Sequence, residues 1–427
     1  MARICDACRP SGDRRASDAD RICHRLDADP RAPRPRARHN ESVHPEFWLT
    51  DDQRALRDLV RQVARERIEP LAAHVDETEA YPGDQLKVLA EQGVMGLWIP
   101  EAYGGTDLGV TGFCLAVEEI ARACASTAVV FLVQFAAGYP LVVAGTEDQK
   151  RRYLPRLASG EITTAFSLSE SGAGSDAASI ATTALRAGDR YLLSGTKMWV
   201  TNGSHAGVLT VFATVDRGRG RRGITAFLVE PTFPGFAIGK LERKMGIRGS
   251  PTAAIHLTDC EVPIENRLGE EGDGFRLALG ALERSRPAVA AQAAGIAQAA
   301  LDAAVAYARE RHQFGQPIAS FQGVQFMLAD MAMHVHASRL MVHHAAASID
   351  RGAPTTALES SMAKCFASDS AMRVATDAVQ IFGGYGYTRE YPVERLMRDA
   401  KITQIYEGTN QVQRLVIARE LGAGARG

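Results

Sequence analysis

The chain has 427 residues, 46% of them hydrophobic and 23% charged, which is the composition of a globular protein long enough for two or three domains. The formal net charge is −1, so the sequence excludes the strongly basic surface expected of a protein that binds nucleic acid or an anionic membrane. Seven cysteines are scattered along the chain, and this odd number favours a reducing compartment over a disulfide framework.

The first 45 residues differ from the rest of the chain. They contain ten Arg and seven acidic residues but almost no large apolar side chain, so we expect a disordered N-terminal extension. The segment lacks the apolar region of a secretory signal, and its acidic residues disagree with a transit peptide. Cys5, Cys8, Cys23 and His24 have part of a zinc-ligand spacing, but adjacent Cys23 and His24 suit a closed four-ligand site poorly, and we predict no metal.

Residues 46–160 are predicted to form an N-terminal helical domain. Leu56, Leu59 and Val60 belong to an apolar series at helical spacing. The stretch 123–146 contains no charged residue and is long enough to cross a bilayer. Because several polar residues and a proline interrupt it, we predict buried core helices and no membrane span.

The pattern changes to short β-rich runs in residues 161–272, which are predicted to form a middle β domain. A hairpin is expected at 184–194, around a turn at Gly188 and Asp189. Further strands are predicted at 196–201, 208–214, 223–229 and 253–257.

Residues 273–427 return to long, Ala-rich helices and are predicted to form a C-terminal helical domain. The helices are expected at 275–311, 321–351, 357–382 and 393–400, with a last one beginning near Asn410. Helix, strand and helix occur in blocks and do not alternate, which favours an α+β fold over a parallel-sheet nucleotide fold.

A candidate catalytic residue lies near the C-terminus, where residues 404–410 read Gln-Ile-Tyr-Glu-Gly-Thr-Asn. Glu407 follows two apolar residues and precedes a turn that should begin the last helix. Poor solvation there would raise the carboxylate pKa toward neutrality, as a general base requires. The simpler alternative is a negative charge that stabilises a helix N-terminus.

Two other segments are informative: residues 166–176, Phe-Ser-Leu-Ser-Glu-Ser-Gly-Ala-Gly-Ser-Asp, and residues 380–387, Gln-Ile-Phe-Gly-Gly-Tyr-Gly-Tyr. Glycine-rich turns of this kind allow backbone N–H groups to approach a phosphate. Together with 404–410, these segments resemble the acyl-CoA dehydrogenase family, and the resemblance extends from Phe47 to Leu421 in the family's order.

The resemblance implies an N-terminal helical domain, a central β-barrel or sandwich and a C-terminal four-helix bundle, assembled as a homotetramer with FAD as cofactor. It also implies a cytoplasmic bacterial enzyme, with the mitochondrial matrix as the alternative. The residues expected to bind FAD are Phe166, Leu168, Ser169, Gly174, Ser175, Trp199, Val200, Thr201, Arg311, Gln313, Phe314, Gln322, Gln380, Ile381, Gly383, Gly384, Thr409, Asn410 and Gln411. Those expected to bind the acyl-CoA are Ser175, Glu283, Arg286, Tyr406 and Gly408.

The resemblance also bears on the roles of Arg311, Glu283 and Ser285. Arg311 is expected to reach the FAD of a neighbouring subunit. Glu283 stands where the family usually has Asp, and its side chain is one methylene longer. Some branches place the base on the same helix, immediately before the Arg; this chain has Ser285 there, so the base is expected to be Glu407.

The reaction implied is dehydrogenation of an acyl-CoA to a trans-2-enoyl-CoA. Glu407 would remove the α-proton while a hydride passes from the β-carbon to flavin N5, and an electron-transfer flavoprotein would reoxidise the flavin. The alternatives are an oxidase that uses oxygen, a pathway-specific enzyme that acts on a carrier-protein thioester or runs as an enoyl reductase, and a flavin-binding homologue without catalysis.

Overall fold

The structure is a computed structural model that describes residues 49–423. The N-terminal extension with its cysteines and His24 lies outside these residues. The described chain begins with a helical block of six α-helices: α1 Asp51–Val63, α2 Ala72–Thr78, α3 Gly83–Glu91, α4 Gly109–Ala123, α5 Ala125–Ala144 and α6 Glu147–Ala158.

Helices α1 and α6 begin where the sequence supplies a reciprocal cap. The Thr50 hydroxyl accepts a hydrogen bond from the Gln53 N–H at 3.2 Å, and the Gln53 side chain accepts one from the Thr50 N–H at 3.1 Å. In α1, Leu56 and Val60 are buried, whereas Leu59 is 38% exposed. The buried face of α1 is therefore narrower than the apolar pattern predicted.

Helix α5 corresponds to most of the uncharged stretch. By length and composition, α5 and the C-terminal helix at Gly274–Glu310 are both apolar enough to cross a membrane. However, 78% of the most apolar segment of α5 and 72% of that of the C-terminal helix are buried inside the protein. This degree of burial is typical of helices in the core of a protein, as predicted for the uncharged stretch. Gln134 of α5 also accepts a hydrogen bond from the Thr164 N–H at 2.8 Å, which fixes the first strand against the helix.

The middle block contains eight strands: β1 Thr164–Ser167, β2 Thr183–Ala187, β3 Arg190–Thr201, β4 Val208–Thr214, β5 Ile224–Val229, β6 Phe236–Leu241, β7 Thr252–Pro263 and β8 Arg267–Leu268. They form one mixed sheet in the order β6-β7-β3-β2-β4-β5-β8, with β1 parallel to β4. The sheet has its own buried cluster, which includes Tyr191, Val211 and Phe227.

The hairpin at Gly188 and Asp189 is confirmed, because Ala187 of β2 pairs with Arg190 of β3. Several details of the strand prediction were wrong. The runs 190–194 and 196–201 are one strand, β3, whose register against β7 shifts between Lys197 and Val200. Strands β6 and β8 were not predicted, and β7 continues six residues past the predicted end at 257, to Pro263. Strand β6 lies at one edge of the sheet, and its residues are exposed or only partly buried.

The last block contains five helices and a short hairpin: α7 Gly274–Glu310, β9 His312–Gln313, β10 Gln316–Pro317, α8 Gln322–Asp350, α9 Thr356–Phe382, α10 Val393–Thr403 and α11 Asn410–Glu420. The predicted helix ends agree with these bounds within three residues. Helices α7 to α9 share one buried cluster with the N-terminal helices, so the two helical blocks have a common core. The arrangement is the α+β fold expected, with helical, β and helical parts in sequence.

Candidate active site

The turn at residues 404–409, between α10 and α11, holds the candidate base. Glu407 and Gly408 have left-handed backbone conformations, with φ of 51° and 90°. Such a conformation is unusual for a glutamate and is a form of backbone strain that often accompanies a functional site. The Thr409 hydroxyl accepts from the Val412 N–H at 3.3 Å and begins α11. We call residues 404–409 the Glu407 turn.

The Glu407 carboxylate packs against α7. The Ser285 hydroxyl donates to Glu407 Oε2 at 2.6 Å. Burial raises the pKa of Glu407 to about 7, and the hydrogen bond from Ser285 and the positive charges of Arg286 and Lys364 oppose that rise. A carboxylate with a pKa near neutrality can accept a proton at physiological pH, which is the property expected of a general base.

Arg286 lies on the same helix as Ser285 and is buried, with 8% of its surface exposed. Among the described residues 49–423 its Nε–H has no hydrogen-bond partner, and burial lowers the pKa of its guanidinium. A buried guanidinium with an unsatisfied N–H is costly unless a ligand or partner completes it. Arg286 therefore does not form an ordinary surface ion pair with Glu283, one turn earlier on the same helix.

Lys364 of α9 lies beneath the Glu407 turn. Its side chain is fully buried, and its ammonium group donates to the Gly408 carbonyl at 2.8 Å and to Asn410 Oδ1 at 2.9 Å. The amide of Asn410 donates to Ser368 Oγ at 2.9 Å and to Asp369 Oδ1 at 2.7 Å. The side chain of Asn410 is therefore engaged on both sides by protein groups, and its predicted contact with a cofactor stays a prediction.

Tyr406 faces inward. Its hydroxyl donates to Gln292 Oε1 on α7, and burial, followed by the nearby Glu407 charge, raises the pKa of its phenol well above the usual value. Tyr406 thus remains neutral and forms part of the wall beside Glu407. Gly408, the other predicted substrate contact in this turn, uses its carbonyl to accept from Lys364 and, at 3.0 Å, from Gln413.

A second group of predicted residues lies on the β domain. The Met198 N–H of β3 donates to the Ser169 carbonyl at 2.8 Å, which joins the segment after β1 to the strand that carries Trp199. Trp199 is 59% exposed and has a φ of 61°. At this exposure the indole does not pack in the β core. An exposed indole at an irregularity of an otherwise paired strand is suited to contact a ligand.

A buried ion pair holds this segment in place. The Lys197 ammonium donates to Glu170 Oε1 at 2.7 Å and to the Leu168 carbonyl at 3.0 Å. Glu170 also accepts from the Ala181 N–H at 2.6 Å and the Thr182 N–H at 3.0 Å. The loop that carries Gly174 and Ser175, both exposed, is thereby anchored at its two ends.

A third group lines a groove of about 530 Å³ in the C-terminal helical domain. The residues that line it include Arg311, Gln313, Ile381, Gly383 and Gly384, all of them predicted cofactor contacts. The guanidinium carbon of Arg311 lies 5.4 Å from the centre of the Tyr385 ring. A Cβ atom added at Gly383 or Gly384 would meet no atom of the described part of the chain within 4 Å, so both glycines leave room for a ligand. We call this the Arg311 groove.

The remaining predicted residues divide by exposure. Val200 is fully buried and Leu168 is 6% exposed, so these two can offer a ligand backbone atoms but little side-chain surface. Residues with surface available are Phe166, Thr201, Glu283, Phe314, Gln322, Gln380 and Gln411. The structure brings Glu407, Arg286 and Tyr406 together in one site, and it places the β-domain residues and the Arg311 groove in two others.

Four residues of these sites were missed as functional candidates: Lys364, Gln292, Lys197 and Glu170. Lys364 and Lys197 could have been found as single cations inside otherwise apolar, small-residue patterns, because a buried lysine is rare unless it has a partner. Ser285 was noted only because the family's other base position is not Glu; its hydrogen bond to Glu407 could not be inferred from the sequence.

Three family models match the chain: "Acyl-CoA dehydrogenase, N-terminal domain" at residues 50–161, "middle domain" at 165–260 and "C-terminal domain" at 272–422. Together with the fold and the glutamate site, these matches show that the chain belongs to the acyl-CoA dehydrogenase family, whose members are flavin oxidoreductases.

Individual relatives agree. An acyl-CoA dehydrogenase of Bacillus subtilis is 48% identical, over 88% of this chain and 99% of its own. Butyryl-CoA dehydrogenase from Megasphaera elsdenii has a solved structure that is 44% identical, with a TM-score of 0.86 over 88% of this chain and 99% of that one. A chain in a structure described as the electron transferring flavoprotein of Acidaminococcus fermentans is 47% identical, with a TM-score of 0.86 over the same shares of the two chains.

Proposed function

We propose that this protein is an FAD-dependent dehydrogenase that converts a short acyl-CoA thioester to its trans-2-enoyl-CoA, with Glu407 as the base. The proposal depends mainly on the environment of Glu407. Burial raises the pKa of its carboxyl group to about 7, and the Ser285 hydroxyl donates a hydrogen bond to its Oε2 at 2.6 Å. The similarity to butyryl-CoA dehydrogenase favours a short acyl chain.

The described residues fit a flavin. Trp199 offers an exposed aromatic face on β3. A Cβ atom added at Gly172 or Gly174 in the nearby loop would meet no atom of residues 49–423 within 4 Å, so phosphate oxygens can approach the backbone there. FAD, when bound, would accept the two electrons and the β-hydrogen of the substrate. Ser169, Trp199 and Thr201 would hold and shield its ring system.

The Glu407 turn provides the acid–base chemistry. Its carboxylate would take the α-proton, and the low solvation that raises its pKa also makes it a stronger base when it is ionised. Within residues 49–423 the Glu407 N–H has no hydrogen-bond acceptor, so it is available to the thioester carbonyl, where negative charge develops as the α-proton leaves. Arg286, whose buried Nε–H has no acceptor in the part of the chain that the structure describes, would bind the CoA portion.

We also propose that the active enzyme is a homotetramer and that an electron-transfer flavoprotein is its acceptor. The residues of the Arg311 groove all belong to the C-terminal helical domain, whereas Ser169 and Trp199 belong to the β domain, so we assign the groove to the cofactor of a neighbouring copy. The acceptor is proposed from the 47% identity to a chain in a structure of such a flavoprotein.

The test is anaerobic bleaching of the flavin by butyryl-CoA, followed by absorbance, in the wild type and in Glu407→Gln. The glutamine keeps the shape and an acceptor for Ser285 but cannot act as a base. We expect the variant to remain yellow and to be reduced about 10² to 10⁴ times more slowly, while Glu310→Gln, at the exposed end of the same helix as Ser285, is reduced at the wild-type rate.

Reduction of Glu407→Gln at nearly the wild-type rate would refute the proposed base. The same assay with acyl-CoAs of increasing chain length identifies the substrate class. If every acyl-CoA fails and a carrier-protein thioester bleaches the flavin, the pathway-specific alternative is correct.

A further inference from the structure

The position of Lys364 calls for an explanation, because burying an ammonium group costs free energy that an apolar side chain would avoid. Its side chain is fully buried in α9. Its two acceptors, the Gly408 carbonyl at 2.8 Å and Asn410 Oδ1 at 2.9 Å, are neutral. Within residues 49–423 no carboxylate lies at ion-pair distance from its ammonium group. A methionine would fill the same space at less cost, so a role in packing does not account for a lysine.

Both acceptors belong to the segment that presents the candidate base. The Gly408 carbonyl that accepts from Lys364 directly follows Glu407, and these two residues have φ of 90° and 51°. Left-handed backbone at a glutamate is unfavourable and persists only where the surroundings impose it. Gln413 donates to the same carbonyl at 3.0 Å and to that of Glu407 at 3.3 Å. Lys364 and Gln413 therefore both stabilise the strained turn through hydrogen bonds to its carbonyl groups.

Among the charged groups near Lys364, Glu407 has the strongest electrostatic interaction with it. The charged and titratable groups that face the lysine are Glu407, Cys365, Arg286 and Asp369. Asp369 already accepts from Arg414 at 2.7 Å and from Gln404 at 2.7 Å. Glu407 is the anion that contributes most to the field at Lys364, and the cations that act on Glu407 are Arg286 and Lys364.

We propose that Lys364 is a positioning residue for Glu407: its ammonium group fixes the strained Glu407 turn through the Gly408 carbonyl and supplies a buried positive charge that keeps the carboxylate ionised near neutral pH. The proposal rests on the proposed function for the statement that Glu407 is the base, but the charge coupling between the two residues can be measured without catalysis. A merely structural lysine would hold the turn without changing the titration of Glu407.

The experiment compares Lys364→Met, which removes the charge, with Lys364→Arg, which keeps it. Lys364→Gln is the second neutral variant, since it retains an N–H donor for the Gly408 carbonyl if the methionine variant does not fold. Lys401→Met is the matched control, because Lys401 is an exposed lysine that donates to Gln404 in the same turn at 2.9 Å. All variants are studied as the purified, flavin-loaded full chain.

The first measurement is the infrared band of the protonated Glu407 carboxyl group without substrate, assigned as the band that Glu407→Gln lacks and titrated against pH. We expect its midpoint to rise by about one pH unit or more in the two neutral variants, the shift typical of losing a nearby opposite charge, and to stay in place in Lys364→Arg and Lys401→Met. An unchanged midpoint in both neutral variants would overturn the proposal.

The second measurement is the rate of flavin reduction by butyryl-CoA against pH. A one-unit rise in the pKa of the base lowers the ionised fraction of Glu407 about eightfold at pH 6.5 but hardly changes it at pH 9.5. The two neutral variants should therefore reduce their flavin more slowly than the wild type at pH 6.5 and at nearly the wild-type rate at pH 9.5. An equal loss at every pH would show that Lys364 only supports the fold. If butyryl-CoA and the other acyl-CoAs do not reduce even the wild type while the infrared midpoint shifts, the proposed function fails and the charge coupling stands.

Discussion

Replacing Glu407 by glutamine should stabilise the folded protein, and the gain should depend on pH. Burial raises the pKa of Glu407 from an ordinary 4.5 to about 7. Between these two values the folded protein holds a proton that the unfolded chain releases. The wild type therefore loses stability as the pH rises through this window, whereas the variant, which does not titrate at this position, does not.

The size of the effect follows from the shift. A difference of about 2.5 pKa units corresponds to about 3 kcal/mol in the free energy of unfolding once the pH is well above 7. Some surface of Glu407 reaches solvent, so this value is an upper limit. The advantage of the variant should be about 1 kcal/mol at pH 5 and up to about 3 kcal/mol at pH 8.5. With about 2.1 cal/mol/K of unfolding entropy per residue, the larger value raises Tm by about 4 °C.

The assay is thermal or urea unfolding of both proteins at pH 5 and pH 8.5, at matched flavin content. Ser285 can donate to a glutamine oxygen as it does to the carboxylate, so the substitution preserves the local hydrogen bond. Arg286 and Lys364 lose their anionic neighbour, and that loss is included in the pKa shift. A stability difference that is the same at both pH values, or a variant that is less stable at pH 8.5, would refute the claim that the carboxylate is poorly solvated.

Two further predictions concern the neighbours of this site. Ser285→Ala removes a hydrogen bond to the ionised form of Glu407, worth about 1.5–3 kcal/mol for a charged acceptor, so the pKa of Glu407 should rise further and the profile of flavin reduction against pH should move by about one unit toward alkali; an unmoved profile would contradict the 2.6 Å bond. Arg311→Ala should lower the flavin-to-protein ratio and the fraction of tetramer in sedimentation together, because a guanidinium over Tyr385 in the groove would pair with a cofactor phosphate; a stable tetramer with full flavin would leave Arg311 as an ordinary helix-end charge.

The C-terminal helices could be predicted closely because their signals are local. Long Ala-rich runs repeat at helical spacing, Gly383 directly follows α9, and Gly352 lies two residues after the end of α8. Strand β6 was missed because it is an edge strand whose residues are exposed or only partly buried, so it lacks the continuous apolar pattern of a buried strand such as β5. Its position depends on pairing with β7, which comes later in the chain.

The same distinction holds in the candidate site. Glu407 and the Arg311 groove lie in short motifs, and these could be found by inspection of a few adjacent residues. The partners that tune Glu407 could not, because Ser285 is 122 residues away along the chain and the Lys364 bond to Gly408 spans 44 residues. Sequence spacing cannot show that two helices place these groups against one carboxylate. The pKa of a base is thus a property of tertiary packing even where the base itself is obvious.

The Glu407 site and the site around Trp199 and Ser169 belong to different domains of the fold. Ser285, Lys364 and Gln413 come from α7, α9 and α11, so the base and the groups that set its pKa all belong to the C-terminal helical domain. Trp199 and Ser169 belong to the β domain and are held by the buried pair of Lys197 and Glu170. In the proposed reaction the proton and the electrons therefore leave the substrate toward different domains. Changes in the β domain should alter flavin binding and leave the titration of Glu407 in place, whereas changes at Lys364 or Ser285 should do the reverse.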